Sequence, residues 1–154
     1  MTDKLIIAGD IDAGWATLKF DFNSETHFIV TSYVFDGLDN ILTAVSLLKQ
    51  GLHESEASLI YEPGEHIIHL AKEDADKIVI RLYTFENWAG RPLKDLIDES
   101  HIPFFTIETT LRRLILQIIN LFEHFKESYG LNGYKDRWRH EFPQAKLDNL
   151  RRNN

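Results

Sequence analysis

A short loop, residues 86–92, carries the two residue types that most often anchor protein interfaces. It reads Glu-Asn-Trp-Ala-Gly-Arg-Pro. Trp and Arg are enriched among the residues that contribute most of the binding energy in protein complexes, and loops on a rigid scaffold often carry function. We therefore predict a protein-binding site anchored by Trp88 and Arg91, with Glu62 and Glu86 at its rim. The alternative is that Trp88 folds back onto the core and Arg91 pairs locally.

The seven histidines are the next residues that could do chemistry, since imidazole is a common metal ligand. His66 and His69 are three residues apart in a predicted strand, and an odd spacing in a strand places side chains on opposite faces. The chain has no Cys, which excludes disulfides and thiolate zinc sites. We predict no metal site and no cofactor.

Carboxylates and glycine-rich loops give no recognisable catalytic pattern. Glu62 and Glu65 flank a tight turn and are predicted to be solvated. Asp10, Asp12 and Gly14 begin like a calcium-binding loop, but a predicted strand follows and the distal Glu is missing. The chain has no phosphate-binding loop, dinucleotide fingerprint, zinc-protease motif or serine-hydrolase elbow. No catalytic residue is predicted, although an enzyme with a scattered active site would also lack such motifs.

The C-terminal segment carries an aromatic pattern that predicts structure rather than chemistry. Tyr134, Trp138 and Phe142 are each four residues apart, so they would share one face of a helix. Leu147 and Leu150 would continue this packing after a proline break. We predict an aromatic clasp that holds the tail on the domain, with Trp138 substantially buried.

The strands that must position these residues are indicated by alternating apolar and polar residues and by β-branched and aromatic content. They are predicted at residues 15–22, 26–35, 57–61, 65–71 and 77–85. Glu62-Pro63-Gly64 has Pro and Gly in the order of the second and third positions of a type II turn. Short turns between neighbouring strands favour antiparallel pairing.

Two amphipathic helices are indicated by apolar residues at helical spacing. They are predicted at residues 37–50, with Asp36 as N-cap, and at 106–129, ended by Gly130. A shorter helix is predicted at 92–99, and helical turns at 132–151. The predicted fold is one α+β domain, residues 1–154, in which an antiparallel β-sheet packs against two main helices and carries a C-terminal helical tail.

The net charge of −7 is unevenly distributed. Residues 1–130 hold 11 Lys and Arg against 21 Asp and Glu, whereas residues 131–154 hold 6 against 3. An acidic body repels nucleic acid and complements a basic protein. The first apolar run is shorter than the roughly 7–15 residues of a signal peptide, and no run approaches the roughly 20 of a membrane span. We expect a cytoplasmic protein with a protein partner and no contact with nucleic acid or membrane.

Three features together resemble a family of small uncharacterised bacterial proteins. They are the helix opening at Phe35-Asp36-Gly37-Leu38, the hairpin at Glu62-Pro63-Gly64, and the Gly-x-x-x-Tyr-x-x-x-Trp-x-x-x-Phe-Pro ending at residues 130–143. Small acidic α+β proteins of this kind resemble the immunity partners of polymorphic bacterial toxins. The resemblance implies binding to a protein and carries no catalytic residues.

Three classes of function are compatible with these observations. The first is a non-enzymatic protein-binding module, most concretely an immunity protein that neutralises a bacterial toxin, which would then be basic. The second is a structural or regulatory homo-oligomer, such as a homodimer. The third is an enzyme with a scattered active site.

Overall fold

Groups of consecutive strands are separated by helices along residues 4–152, which are the residues described by this computed structural model. The elements are β1 (Ile6–Asp12), β2 (Trp15–Phe22), β3 (Glu25–Ser32), α1 (Gly37–Lys49), β4 (Glu54–Tyr61), β5 (Gly64–Lys72), β6 (Lys77–Phe85), a single 3-10 turn (Leu93–Asp95), β7 (Phe105–Thr110), α2 (Leu111–Trp138) and α3 (Gln144–Arg151). Within residues 4–152, no helix is both long enough and apolar enough to cross a membrane.

The strands form two antiparallel sheets, in the orders β1-β2-β3 and β4-β5-β6-β7. The predicted α+β class, the antiparallel pairing and the helical tail are confirmed. The prediction of one sheet was wrong, because α1 separates β3 from β4 in the chain and the two strands are not paired in one ladder. The sheets meet where the Thr31 hydroxyl donates a hydrogen bond to the Ile60 carbonyl at 3.1 Å.

Sequence reasoning missed two strands, β1 and β7. The predicted helix at 106–129 begins instead at Leu111, because residues 105–110 pair with β6. Thr110 is the N-cap, and its hydroxyl accepts a hydrogen bond from the Arg113 N–H at 3.0 Å. β-Branched residues such as Thr and Ile favour a strand where a partner is available, and β6 supplies that partner.

The long helix α2 is interrupted where the sequence predicted its end. Gly130 has φ 71° and ψ 172°, which is outside helical geometry and favours glycine. The chain then resumes as a helix to Trp138. The short helix predicted at 92–99 is reduced to the 3-10 turn Leu93–Asp95, and the strand predicted at 26–35 ends at Ser32.

The β4–β5 turn differs from the predicted type II turn. Tyr61 pairs with Gly64, so Glu62 and Pro63 are the two loop residues, joined by a cis peptide. Proline is therefore third and glycine fourth. Glycine is required by close approach, since a Cβ on Gly64 would lie 2.5 Å from the Tyr61 ring and 2.6 Å from the Phe85 carbonyl oxygen.

Helix α2 covers the free edge of β1. The Ile7 N–H donates to the Gln117 side-chain oxygen at 3.0 Å, and the Ile11 N–H donates to the Tyr129 hydroxyl at 3.0 Å. These side chains take the place of a neighbouring strand. The edge of the three-stranded sheet at β1 is therefore protected from pairing with another chain.

The C-terminal segment is clasped onto α1, as predicted. Trp138 is 0% exposed, and its indole N–H donates to the Asp36 carboxylate at 2.8 Å. The same Asp36 oxygen accepts from the Asp39 N–H at 3.1 Å and so caps α1. The Lys49 ammonium donates to the Leu150 carbonyl at 2.8 Å, near the end of α3. The tail is a structural element of the core.

Candidate protein-binding site

A cavity of 380 Å³ opens at the β4 side of the four-stranded sheet, on its outer face, which is the face opposite the main core. Three parts of the chain form its walls: the residues from Phe35 into α1, the outer face of β4 and β5, and loop 86–92. Its volume lies within the range of about 300–1,000 Å³ that is usual for small-ligand sites. The cavity therefore has room for a ligand group or for one side chain of a partner.

The outer face of this sheet is covered by the chain that follows β6. Ile67, Tyr83 and Leu93 form a small hydrophobic cluster there, separate from the main core. Leu93 lies in the 3-10 turn, so this cluster fastens the connection to the sheet. Loop 86–92 is thereby held over one end of β5, and the cavity lies beneath it.

Trp88 takes a position between the two predicted alternatives. Its side chain is 47% exposed, and its ring packs against Phe35 with centroids 4.9 Å apart and planes at 47°. Its backbone N–H donates to the Pro63 carbonyl at 2.6 Å, which ties the loop to the β4–β5 turn. Trp88 does not enter the main core, and its role as an interface anchor stays a prediction.

Arg91 lines the same cavity and points partly into solvent. Its guanidinium lies 4.0 Å from the carboxylate of Asp95, which is four residues further along the chain. Both side chains are exposed, so this ion pair adds little to stability. Arg91 is therefore loosely held, and its anchor role also stays a prediction.

Glu65 is buried, which corrects the prediction that it is solvated. It is 1% exposed, because the turn ends at Gly64 and Glu65 already belongs to β5, where loop 86–92 covers it. Its Oε2 accepts from the Ser58 hydroxyl at 2.6 Å, and its Oε1 lies 3.4 Å from the Ala89 N–H. Among residues 4–152 it forms no ion pair.

Glu56 supplies a second carboxylate to the cavity. It lies on β4, on the same outer face as Ser58, and its Oε2 accepts from the Leu93 N–H at 2.9 Å. This bond fixes the start of the 3-10 turn against the sheet. The cavity thus combines two carboxylates with two aromatic walls, an arrangement suited to a cation.

Glu62 and Glu86 are near this end of the sheet but do not line the cavity. Glu62 accepts a hydrogen bond from the Ser32 hydroxyl. Burial raises the pKa of Tyr61, and the carboxylate of Glu86 raises it further. The structure therefore brings together only Trp88 and Arg91 of the four predicted site residues.

Sequence reasoning missed Phe35, Glu56 and Glu65. The alternation of β5 held a signal for Glu65, since it shares a strand face with Ile67 once the hairpin turn is placed correctly. The predicted strand at residues 26–35 includes Phe35, but β3 ends at Ser32. No local sequence pattern predicts the contact between Phe35 and Trp88, because the two residues are far apart in the chain.

The two histidines of β5 face opposite sides of the sheet, as predicted. His66 stacks on Tyr61 with ring centroids 4.3 Å apart, and burial lowers the pKa of His66 to about 4. His69 lies 3.0 Å from the Glu54 carboxylate on the other face. Within the part of the chain that the structure describes, no three His, Asp or Glu residues are grouped to hold a metal ion.

No protein-family model and no curated protein matches the chain. The fold is similar to that of a chain in the CdiA-CT/CdiI toxin and immunity complex from Enterobacter cloacae. The match has a TM-score of 0.52 at 12% sequence identity, and it covers 79% of this chain and 99% of that chain. At this identity, the likeness shows a shared fold.

Proposed function

We propose that the chain is a non-enzymatic, immunity-type protein that neutralises a bacterial toxin by binding it. The observation that carries this proposal is the fold shared with a chain of a toxin and immunity complex. A fold alone hosts many functions. The argument therefore also needs support from the surface of this chain.

The distribution of charge supports a basic partner. The acidic excess lies in residues 1–130, and two basic groups of the tail form ion pairs with carboxylates of that part of the chain. Lys146 lies 2.6 Å from the Asp39 carboxylate, and Arg137 lies 3.4 Å from the Asp12 carboxylate. Complementary fields accelerate the encounter of two proteins. A basic toxin would be attracted to this surface.

An exposed apolar patch next to the cavity supports a protein interface. Tyr33, Val34 and Phe35 are exposed between β3 and α1, and Phe35 continues into the Trp88 ring. Contiguous exposed apolar side chains of this kind mark interaction surfaces. Trp88 and Arg91 are the proposed anchors of that interface, with Glu62 and Glu86 at its rim.

Protection of cells tests this function directly. The chain would be expressed alone and together with a toxin encoded beside it, and growth would be followed. Expression alone should be harmless, and co-expression should restore growth. Trp88→Ala should weaken the complex by about 30-fold or more, as expected for an interface hot spot. Trp15→Ala is the matched control, because Trp15 is also exposed but lies on the other sheet.

Association rates across a salt series test the electrostatic part. The Debye length falls from about 10 Å at 0.1 M salt to about 3 Å at 1 M. Because salt screens the attraction between the two proteins, the association rate should fall markedly as salt is added. An association rate that does not change with salt would contradict the proposal that the partner is basic. Growth inhibition by the chain alone would make it a toxin, and turnover of a substrate that depends on a single His or Glu would make it an enzyme.

A homodimer is the second candidate, favoured by one separate surface. The outer face of the three-stranded sheet exposes four large apolar residues: Ile6, Trp15, Phe28 and Val30. These residues share one side of the sheet by register. A second copy could cover them, and the mass of the purified protein in light scattering separates this candidate from a monomeric binder.

A further inference from the structure

We infer that the cavity beneath loop 86–92 binds one arginine side chain of the partner protein. This inference rests on the proposed function and specifies the chemistry of the partner at this site. Three features support binding of a guanidinium group: the buried carboxylate of Glu65, the balance of charge among the lining residues, and the aromatic walls of the cavity.

The buried carboxylate of Glu65 is the first argument. Ser58 holds Oε2 by a short hydrogen bond, whereas Oε1 has only the long contact of 3.4 Å from the Ala89 N–H. A carboxylate has about four acceptor positions, and a buried charge without a cation is costly. Glu65 is thus a preformed acceptor, 1% exposed, that a cation in the cavity would complete.

The balance of charge around the cavity is the second argument. Glu56 and Glu65 both line it, and Arg91 is the single Lys or Arg among the described lining residues. The Arg91 guanidinium is drawn toward Asp95, which is not part of the lining. The interior of the cavity therefore favours a positive group, while Arg91 remains at the mouth.

The aromatic walls distinguish guanidinium from ammonium. Phe35 and Trp88 flank the opening with their rings in contact. A guanidinium is planar and weakly hydrated, so it stacks on aromatic faces while its donors bind a carboxylate in a fork. Lysine offers a compact, strongly hydrated charge that gains less from such walls. The 380 Å³ of space suits one extended side chain.

The test uses the purified full chain and a small probe, N-acetyl-arginine methylamide. Its neutral isostere N-acetyl-citrulline methylamide and the lysine analogue are the comparison probes. Binding is followed through the NMR signal of the Trp88 indole N–H. The arginine probe should give saturable shifts and bind at least about tenfold more tightly than the citrulline probe, since hydrogen bonds to charged groups are the stronger ones. No shift at Trp88, or equal binding of arginine and citrulline or of arginine and lysine probes, would overturn the inference.

Variants assign the site within the chain. Glu65→Gln should weaken binding of the arginine probe by about tenfold, and Glu99→Gln, at an exposed position outside the cavity, should leave it unchanged. Because Glu65 is buried, the exposed Trp88 provides a second variant, Trp88→Ala, which should weaken binding of the arginine probe about threefold or more. Calorimetric titration measures this variant and the native protein, since the variant lacks the Trp88 indole signal. Arg91→Gln removes a positive charge that repels the arginine probe, so this variant should bind the probe more tightly. A folded Glu65→Gln protein with native probe affinity would refute the site.

The probe titration and the protection assay fail independently. Protection from a toxin without binding of the arginine probe would leave the proposed function intact and remove the arginine cavity. Glu65-dependent binding of the probe without protection from any toxin would support the cavity and remove the immunity function. The two proposals can therefore be judged separately.

Discussion

Loop 86–92 and the C-terminal segment 130–151 are rich in the same residue types but have opposite fates in the fold. Trp138 is fully buried, whereas Trp88 is 47% exposed. They attach to neighbouring residues at the start of α1, since Trp138 bonds the Asp36 carboxylate and Trp88 packs against Phe35. Both segments, each with an aromatic residue and an Arg, therefore contact the start of α1, one at Phe35 and the other at Asp36.

What lies behind each tryptophan explains the difference. The tail packs against α1 and α2, whose apolar stripes leave a space that Trp138 and Tyr134 fill. The loop lies over the outer face of the four-stranded sheet, where the polar Glu65 and Ser58 form the floor. An aromatic residue becomes structural where apolar elements surround it. It stays available for binding where it caps a polar cavity.

The largest expected effect separates the two tryptophans by stability. Trp138→Ala should lower the free energy of unfolding by about 3–5 kcal/mol, the usual range for a buried large aromatic. Trp88→Ala should lower it by less than about 1 kcal/mol, because half of the side chain is already in water. Urea unfolding of both variants measures the contrast. Equal losses would mean that the loop belongs to the core.

A smaller effect concerns β5, the strand beneath loop 86–92, and depends on pH. The folded-state pKa of His66 is about 4, below the unfolded value of about 6.5. Between these values the unfolded chain binds more protons, so stability should decline as pH falls through this window, by at most about 1.4 kcal/mol per pH unit. Unfolding of His66→Gln across this range should show a flatter dependence. The same slope in both proteins would exclude His66 as its source.

The smallest effect is expected within the tail itself. The Tyr134 hydroxyl is buried and has no hydrogen-bond partner among the described residues, and burial, with the charges of Asp36 and Asp39, raises its pKa. Tyr134→Phe removes an unsatisfied polar atom and keeps the ring. Stability should be unchanged or rise by up to about 1 kcal/mol. A clear loss in thermal unfolding would indicate a partner for the hydroxyl.

Much of the local structure was predictable from the sequence. The N-cap at Asp36 and the burial of Trp138 were predicted, because each depends on a few neighbouring residues or on a continuous apolar stripe. Gly130 was predicted as the end of the long helix, and the structure has a break in helical geometry there. β1 and β7 were missed. The long helix was predicted to begin at residue 106, within β7, because the apolar stripe includes Ile107. Pairing with β6 makes those residues a strand instead.

The candidate site was predictable only in part. Trp88 and Arg91 were singled out by residue type, and the structure places both at one cavity. Glu62 and Glu86 were predicted at the rim of the site, yet neither lines the cavity. Glu65 was wrongly predicted to be solvated, because its burial depends on a loop that begins about twenty residues later.

The sequence by itself determined the α+β class, the antiparallel strands and the clasp of the tail, since periodicity states which side of an element is apolar. Only the tertiary structure decided that the strands divide into two sheets and that Glu65 lies beneath Trp88. The physical reason is that the alternation of apolar and polar residues shows which face of a strand is buried, but not which part of the chain packs against that face. Covering a face requires contacts between distant parts of the chain, and no local pattern records them.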